Sequence, residues 1–563
     1  MSPTPTRTRH GIFILLRRLR VPLAVLIGVY AVAVLGFTLI PGVDPSGQRW
    51  TMSFLHAFYF VSFLGTTIGL GEIPFPFSDA QRLWATAAIY GSVVAWLYAI
   101  GALFSVLQDP LFRRIVHENA VHRAVRRIRA PFYLICGYDD AGSRIARELA
   151  EDGARLVVID VVAERVDTVE VDDLTFHVPA LAGDASDPKT LVLAGLKNPH
   201  CAGVLALTGD DHINVKIALT ARLLNPQVPV LCAARHHGVH ARMASAGADH
   251  IINPYDTFAE RVAMSIRTPS LHIIYESLTT QDVTPVNEPP LVPRGHWVLC
   301  GSGLFTRTLR RQLERLEIAT TIIDPSLTDE EVDAQHIQGD PTDPAVLRQA
   351  GVESATALVA GTAVDIDNLA IELAARPINE KLFIVARQTQ RRNSVVFRAS
   401  PADLVMLSGY VVAAEVLRVI RAPQLATFLR RARDEDEAWA QALLQEMREV
   451  IGDEVVESWS VDIVPDQAGT VCTALDRGEA VTLRRLLTRP DGSTDLVRGL
   501  PLLLQRGQER TLRPDLDTAL EPGDRLLCCG TARARSTMRH NLVGYALPPS
   551  PAPPLLLAAP DTL

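Results

Sequence analysis

The chain has 563 residues, of which 48% are hydrophobic and 21% charged, with a net charge of −8 at neutral pH. So mild an acidity, with no basic, aromatic-rich patch, argues against a nucleic-acid surface. The seven cysteines, at 136, 201, 232, 300, 472, 528 and 529, have no zinc-like spacing and read as reduced core residues.

In chain order, a basic segment (residues 1 to 20) with Arg7, Arg9, Arg17, Arg18 and Arg20 precedes an uncharged run from 22 to 40. That run is long enough for a helix to cross hydrocarbon at about 20 residues per span. A cleaved signal peptide is the competing reading, but its apolar region would be shorter and end in a small-residue site, whereas this one ends in Pro41-Gly42. Residues 83 to 107 form a second uncharged run, and Arg113, Arg114, Arg123, Arg126, Arg127 and Arg129 follow it. Only Arg49 and Arg82 lie between the spans, which places both chain ends on the cytoplasmic side.

Between the spans, residues 53 to 65 (SFLHAFYFVSFLG) predict a short helix that dips into the membrane, followed by Thr66-Thr67-Ile68-Gly69-Leu70-Gly71-Glu72. A cation leaving water needs a stack of oxygen ligands, which a line of backbone carbonyls supplies. Pointing successive carbonyls at one axis requires alternate residues in the left-handed region, which glycine enters without steric cost. Gly69 and Gly71 suit those positions, and the Thr67 hydroxyl would add one more ring of oxygens. An ordinary glycine-rich turn is the plainer alternative. Re-entrant backbone persists at membrane depth only where it is buried in protein or lines a cavity, so several copies must surround it.

Span, short helix, T-T-I-G-L-G-E and span together resemble the pore module of two-span potassium channels, over residues 21 to 108. The resemblance implies a homotetramer in the lipid bilayer with potassium as permeant ion. It implies a selectivity filter at Thr67, Ile68, Gly69, Leu70 and Gly71, and a bracing aromatic cuff at Tyr59 and Phe60. Gly91 falls where the family has its gating hinge, with Gly101 as runner-up; close packing by a small residue explains either equally. Leu70 replaces the family's tyrosine and removes the hydroxyl that ties filter to cuff, while Ile68 and Glu72 replace valine and aspartate conservatively.

After a basic linker helix (109 to 130) an internal repeat begins. FYLICGYDDAGSRIARELAEDGARLVVID (132 to 160) is answered by HWVLCGSGLFTRTLRRQLERLEIATTIID (296 to 324), and GDASDP (183 to 188) by GDPTDP (339 to 344). Residues 207 to 226 are likewise answered by 359 to 379. Each copy reads as strand, tight turn, helix and a strand ending in Asp, the order of a dinucleotide-binding unit, in which a helix N-terminus attracts pyrophosphate and the acid bonds ribose. Asp160 and Asp324 are the ribose candidates, each 23 residues after Gly137 or Gly301 (160 − 137 and 324 − 301). Both glycine turns are degraded. Copy one keeps Gly137 and Gly142 but places Asp139 where backbone should approach phosphate; copy two keeps Gly301 and Gly303 and loses the third glycine. Asp184 and Asp340 complete the nucleotide candidates. The alternatives are turns that only build the sheet and acids that cap helices; Asp139 and Asp140 read either as caps or as ligands of a divalent cation.

The two copies resemble the regulator-of-potassium-conductance (RCK, TrkA-N-like) domains beneath many prokaryotic channels. The expected architecture is a two-span helical pore module, two Rossmann-like α/β domains (131 to 283 and 295 to 423, linker 284 to 294), a helical connector (424 to 454), a small α+β C-type lobe (455 to 540) and a proline-rich tail (541 to 563). The resemblance implies a channel of a bacterial inner membrane, gated by a ring that senses NAD(H) or an adenine nucleotide, or a divalent cation, with no catalysis. Two alternatives stay open: an NAD-binding regulatory subunit anchored beside a separate potassium transporter, and a membrane-tethered NAD-dependent oxidoreductase.

Overall fold

The computed structural model describes residues 6–66, 68–69, 71–172, 174–279, 291–328, 333, 335–490 and 495–544. The chain forms two compact units, Met1–Arg127 and Ile128–Leu563.

The first unit consists of helices Thr6–Leu39, Phe54–Gly65, Asp79–Gln108 and Pro110–Arg127, with a two-residue strand pair between the first two. Two stretches, Leu19–Leu39 and Asp79–Gln108, are long and apolar enough to cross a membrane, yet only 22% and 17% of their most apolar windows are buried in the chain. Apolar surface costs about 25 cal/mol per Å² in water, so these faces suit lipid or other apolar protein. The small core is aromatic. Phe37 is fully buried, with Phe60 at 4.8 Å and Phe77 at 5.8 Å between ring centres. Ser53 caps the short helix, and Ser78 opens the second span in a reciprocal capping box with Gln81. The Gln81 amide also donates to Ile40 O at 3.2 Å, tying the start of the second span to the end of the first.

The second unit contains two parallel six-stranded sheets. In the first copy the strands lie in the order Ala180–Ala182, Arg155–Asp160, Phe132–Cys136, Cys201–Ala206, Val230–Ala233 and His250–Ile252. The second copy repeats this order with His336–Ile337, Thr320–Ile323, Trp297–Cys300, Ala357–Ala360, Phe383–Gln388 and Leu404–Leu407. The chain starts each sheet in its centre and reverses direction there, leaving a crevice at the carboxyl ends of the strands.

The duplication extends to individual hydrogen bonds. Asn214, fully buried, accepts from Thr208 N and donates to Thr208 O and Ala233 O; Asn368 does the same with Thr362 N, Thr362 O and Arg387 O. Each amide satisfies backbone groups that the ends of two strands would otherwise leave unpaired. Asp211 accepts from Arg235 N and His236 N, and Asp365 from Thr389 N and Gln390 N.

The two copies also exchange helices. Val412, Ala413, Val416 and Leu417 of Ser408–Arg421, the helix after the last strand of copy two, pack in the core of copy one. Conversely, Tyr255, Phe258, Ala259 and Val262 of Pro254–Arg267 pack in the core of copy two with Phe305 and Leu309. Arg421 reinforces the first contact by bonding Asp152 at 2.7 Å and Glu148 at 2.9 Å.

A four-stranded antiparallel sheet follows, ordered Glu457–Asp462, Arg525–Gly530, Gly499–Arg506 and Glu509–Leu512. Successive strand residues face opposite sides, so the adjacent Cys528 and Cys529 enter different apolar clusters. All seven cysteines are free thiols, and all but Cys472 are buried.

Candidate functional site

The loop after helix Phe54–Gly65 begins with the Thr66 hydroxyl donating to Ser62 O at 3.0 Å and Ile68 N to Phe63 O at 3.1 Å. Gly69 and Gly71 both take positive φ, +66° and +90°. No atom lies within 4 Å of where a Cβ would stand on either, so it is backbone conformation and not crowding that calls for glycine. Ile68 is exposed, and Thr67 and Leu70 lie outside the described residues. Of the two cuff residues, Phe60 is buried among Phe37, Phe63 and Phe77, whereas Tyr59 is exposed and stacks edge-on against Phe63. Helix Asp79–Gln108 runs unbroken through Gly91 and Gly101. A Cβ on Gly91 would make only ordinary contact with Val29 Cγ1 at 3.5 Å, and one on Gly101 would meet nothing.

Glu72 is held at the far end of the loop. Its carboxylate accepts from Arg82 Nε at 2.9 Å, Arg82 Nη2 at 3.3 Å and Phe77 N at 2.8 Å. A forked guanidinium fixes a carboxylate in both distance and orientation, so Arg82 fastens the loop to the second span. Sequence reading treated Arg82 only as a charge between the spans; the ten-residue spacing of Glu72 and Arg82 carried no helical or turn signal. Arg82→Gln is expected to loosen the end of the loop, and faster amide hydrogen exchange at Phe77 in the variant than in the parent chain checks this.

In the second unit the mouths of the two sheets differ. In copy one, Gly137 has φ +105°, and a Cβ there would stand 2.9 Å from Leu207 C. At Gly142 a Cβ would stand 2.1 Å from Gly137 O, so both glycines are required by close approach. Asp139 then caps helix Asp140–Glu151, accepting from Ala141 N at 3.0 Å and Gly142 N at 3.3 Å. These are the amides a phosphate would use. Burial raises the pKa of Asp139 against the opposing pull of those amides. Asp140 accepts from Arg391 N of copy two at 3.1 Å. Beside them a cavity of about 550 Å³ opens between the copies, with Arg147, Arg165, Arg235 and Arg391 on its wall.

Asp160 is 4% exposed and accepts from Tyr138 N at 2.6 Å and Val162 N at 2.8 Å. It therefore braces the glycine turn. Asp324 accepts from Ser302 N at 2.5 Å and Ser326 N at 2.8 Å but stays half-buried. Asp184 and Asp340 hold their own loops, accepting from Ser186 N and Thr342 N.

Copy two has an open helix N-terminus. Gly301 repeats the positive φ, at +97°, and Gly303, which has no side chain to cap with, occupies the N-cap of helix Leu304–Arg315; among the described residues no other side chain bonds the first amides of that helix. Nothing lies within 4 Å of where a Gly303 Cβ would stand. Uncapped amides and the helix dipole together favour an anion. Arg387, at the end of its strand, donates to Thr362 O at 3.3 Å and Tyr255 OH at 3.0 Å. Sequence reading did not single it out; its position two strands away from the strand that leads into Gly301 is a matter of sheet order.

A family model described as an ion channel matches residues 24–109, and one described as the TrkA-N domain matches twice, at 133–254 and 297–408. The chain is an ion-channel module followed by two TrkA-N domains. Potassium channel protein 1 of Methanocaldococcus jannaschii is 24% identical over 230 residues, 41% of this chain and 67% of that protein. The voltage-gated potassium channel Kch of Escherichia coli is 24% identical over 205 residues, 36% of this chain and 47% of that protein. The matches to the first curated relatives span between 34% and 67% of their lengths. The solved GsuK channel bound to NAD has 17% identity and a TM-score of 0.43, over 95% of this chain and all of that one. The ion-channel module holds the Gly69 and Gly71 loop, and the two TrkA-N domains hold the paired mouths.

Proposed function

We propose that this chain assembles as a homotetramer in a cell membrane, both termini cytoplasmic, and conducts potassium through a filter built from residues 67 to 71. The observation that carries the reading is the pair of positive-φ glycines, Gly69 and Gly71, in a loop between two apolar helices. Alternation of this kind turns carbonyls toward one axis, and four chains around that axis replace the hydration shell of the ion. The outward aromatic face of the short helix, with Phe54, Leu55, Phe58 and Tyr59 exposed, would be covered by the other copies.

The TrkA-N domains act as the ligand-sensing ring. A nucleotide pyrophosphate is assigned to copy two, where the amides of Phe305 and Thr306 meet no capping side chain among the described residues, with Asp324 toward the ribose. In copy one the Asp139 carboxylate already occupies the equivalent amides. The ligand gates the pore to the extent that it binds open and closed rings with different affinity. The membrane-anchored regulatory subunit is disfavoured because an anchor has no use for a re-entrant loop with alternating positive φ.

Purified full-length chain in liposomes is expected to pass potassium, with flux altered by NADH or an adenine nucleotide. In detergent, Gly303→Val is expected to weaken NADH binding by about tenfold or more, while Asp139→Ala leaves it unchanged; calorimetry checks both. Loss in Asp139→Ala alone would move the site to copy one, and absence of flux under every nucleotide tried would overturn the channel reading.

A further inference from the structure

Outside the glycine loop and the two mouths, one cluster of side chains among the described residues has the composition of a ligand set. His237 lies in the short 3-10 turn His237–Val239 after strand Val230–Ala233, His240 begins helix His240–Ser245, and Asp256 lies in the first turn of helix Pro254–Arg267. One ligating atom from each lies within 4.8 Å of the other two. His237 Nδ1 is 3.4 Å from Asp256 Oδ2, and the imidazole rings are 5.3 Å apart and tilted by 36°. His240 Nε2 is shielded from solvent and has no hydrogen-bond partner, a cost that a buried polar atom ordinarily avoids. The neighbouring His236 is engaged by Asp211 at 2.9 Å.

We propose that His237, His240 and Asp256 bind a divalent transition-metal ion of the zinc class, with the fourth position open to water. Two imidazoles and one carboxylate match the donors of a three-ligand zinc centre, whereas calcium and magnesium take oxygen ligands. A four-coordinate ion with bonds of about 2.0–2.1 Å needs ligand atoms roughly 3.4 Å apart. His237 Nδ1 and Asp256 Oδ2 already stand at that separation, and the three ligand atoms all lie within 4.8 Å of one another. The bound ion ties the loop after strand Val230–Ala233 to the helix whose Tyr255 and Phe258 pack against Phe305 of copy two, at 6.0 and 5.6 Å. The site is independent of the channel and nucleotide assignments.

Full-length protein in detergent, stripped by a chelator and titrated with Co²⁺, is expected to develop the visible absorption of a four-coordinate ion at one per chain, displaced by Zn²⁺. His237→Ala and His240→Ala are each expected to weaken binding by about 100-fold or more and Asp256→Asn by about tenfold, while His177→Ala leaves it unchanged. His237 is exposed, so its variant separates ligation from folding. Only weak six-coordinate Co²⁺ binding in the parent chain, or an unchanged spectrum in the His237→Ala/His240→Ala double variant, would overturn the site.

Discussion

Gly69→Val in the full-length chain is expected to cut potassium flux by about 100-fold or more without changing expression or nucleotide binding. Gly69 has φ +66°, a region that costs an L-residue about 1–2 kcal/mol and a β-branched one more. In a filter made by four chains the penalty is paid four times, about 4–8 kcal/mol in total, whereas about 2.7 kcal/mol already shifts a population 100-fold. The chain would escape by turning its carbonyl away from the axis, which removes a ring of oxygens from the ion path. Gly28→Ala is the matched control. Gly28 sits inside the first span with open space where a Cβ would stand, and alanine is the better helix former there. Liposome flux measured side by side checks both. Conduction by Gly69→Val at the parent rate would sink the carbonyl-filter reading.

Glu372→Leu is expected to stabilise the second TrkA-N domain at pH 8 by about 2–3 kcal/mol, with the gain fading as pH falls toward 4.5. Glu372 lies on helix Asp365–Ala375, is fully buried, and neither carboxylate oxygen reaches a hydrogen-bond partner. Burial pushes its pKa up to about 7 from the ordinary 4.5, partly opposed by Ser400, Ala402 and Arg376 nearby. Arg376 spends its guanidinium elsewhere, on Glu380 O, Leu382 O, Pro401 O and Asp403. With the folded pKa above the unfolded one, the folded state binds more protons between pH 4.5 and 7. Stability therefore falls as pH rises through that window, and the penalty is constant above it. Leucine carries no proton and has no such slope. Amide hydrogen exchange along strand Trp297–Cys300, compared between parent and variant from pH 5 to 8, reads the difference locally. Equal pH slopes in the two chains would show that Glu372 is not the group responsible.

The paired Rossmann-like sheets were legible because their signals are local. Apolar runs of strand length alternate with amphipathic helices, and the same order of strand, turn, helix and strand ending in Asp occurs twice. The roles of individual acids were less legible. Asp160 stands where a nucleotide site would have its ribose acid, but in the structure it braces its own turn, and of the two readings of Asp139, cap or cation ligand, the helix cap is the one its hydrogen bonds make. Nothing in the residues around a carboxylate says whether its lone pairs are already used. The turn Gly301-Ser302-Gly303 read as the better preserved of the two, keeping its first two glycines and holding no acid; the structure adds that no side chain of the described residues reaches the amides that follow it.

Length, hydropathy and glycine spacing by themselves marked two apolar helices of membrane-crossing length and a glycine-spaced loop between them, because these are set by interactions within a few residues, and the repeated sequence marked the duplication. Only the tertiary structure decided which helix N-terminus is open, that helices Pro254–Arg267 and Ser408–Arg421 pack across the two copies, and that Arg82 fastens Glu72. Those facts depend on distances between groups far apart in sequence, where burial and competing partners, and not residue type, settle what each side chain is free to do.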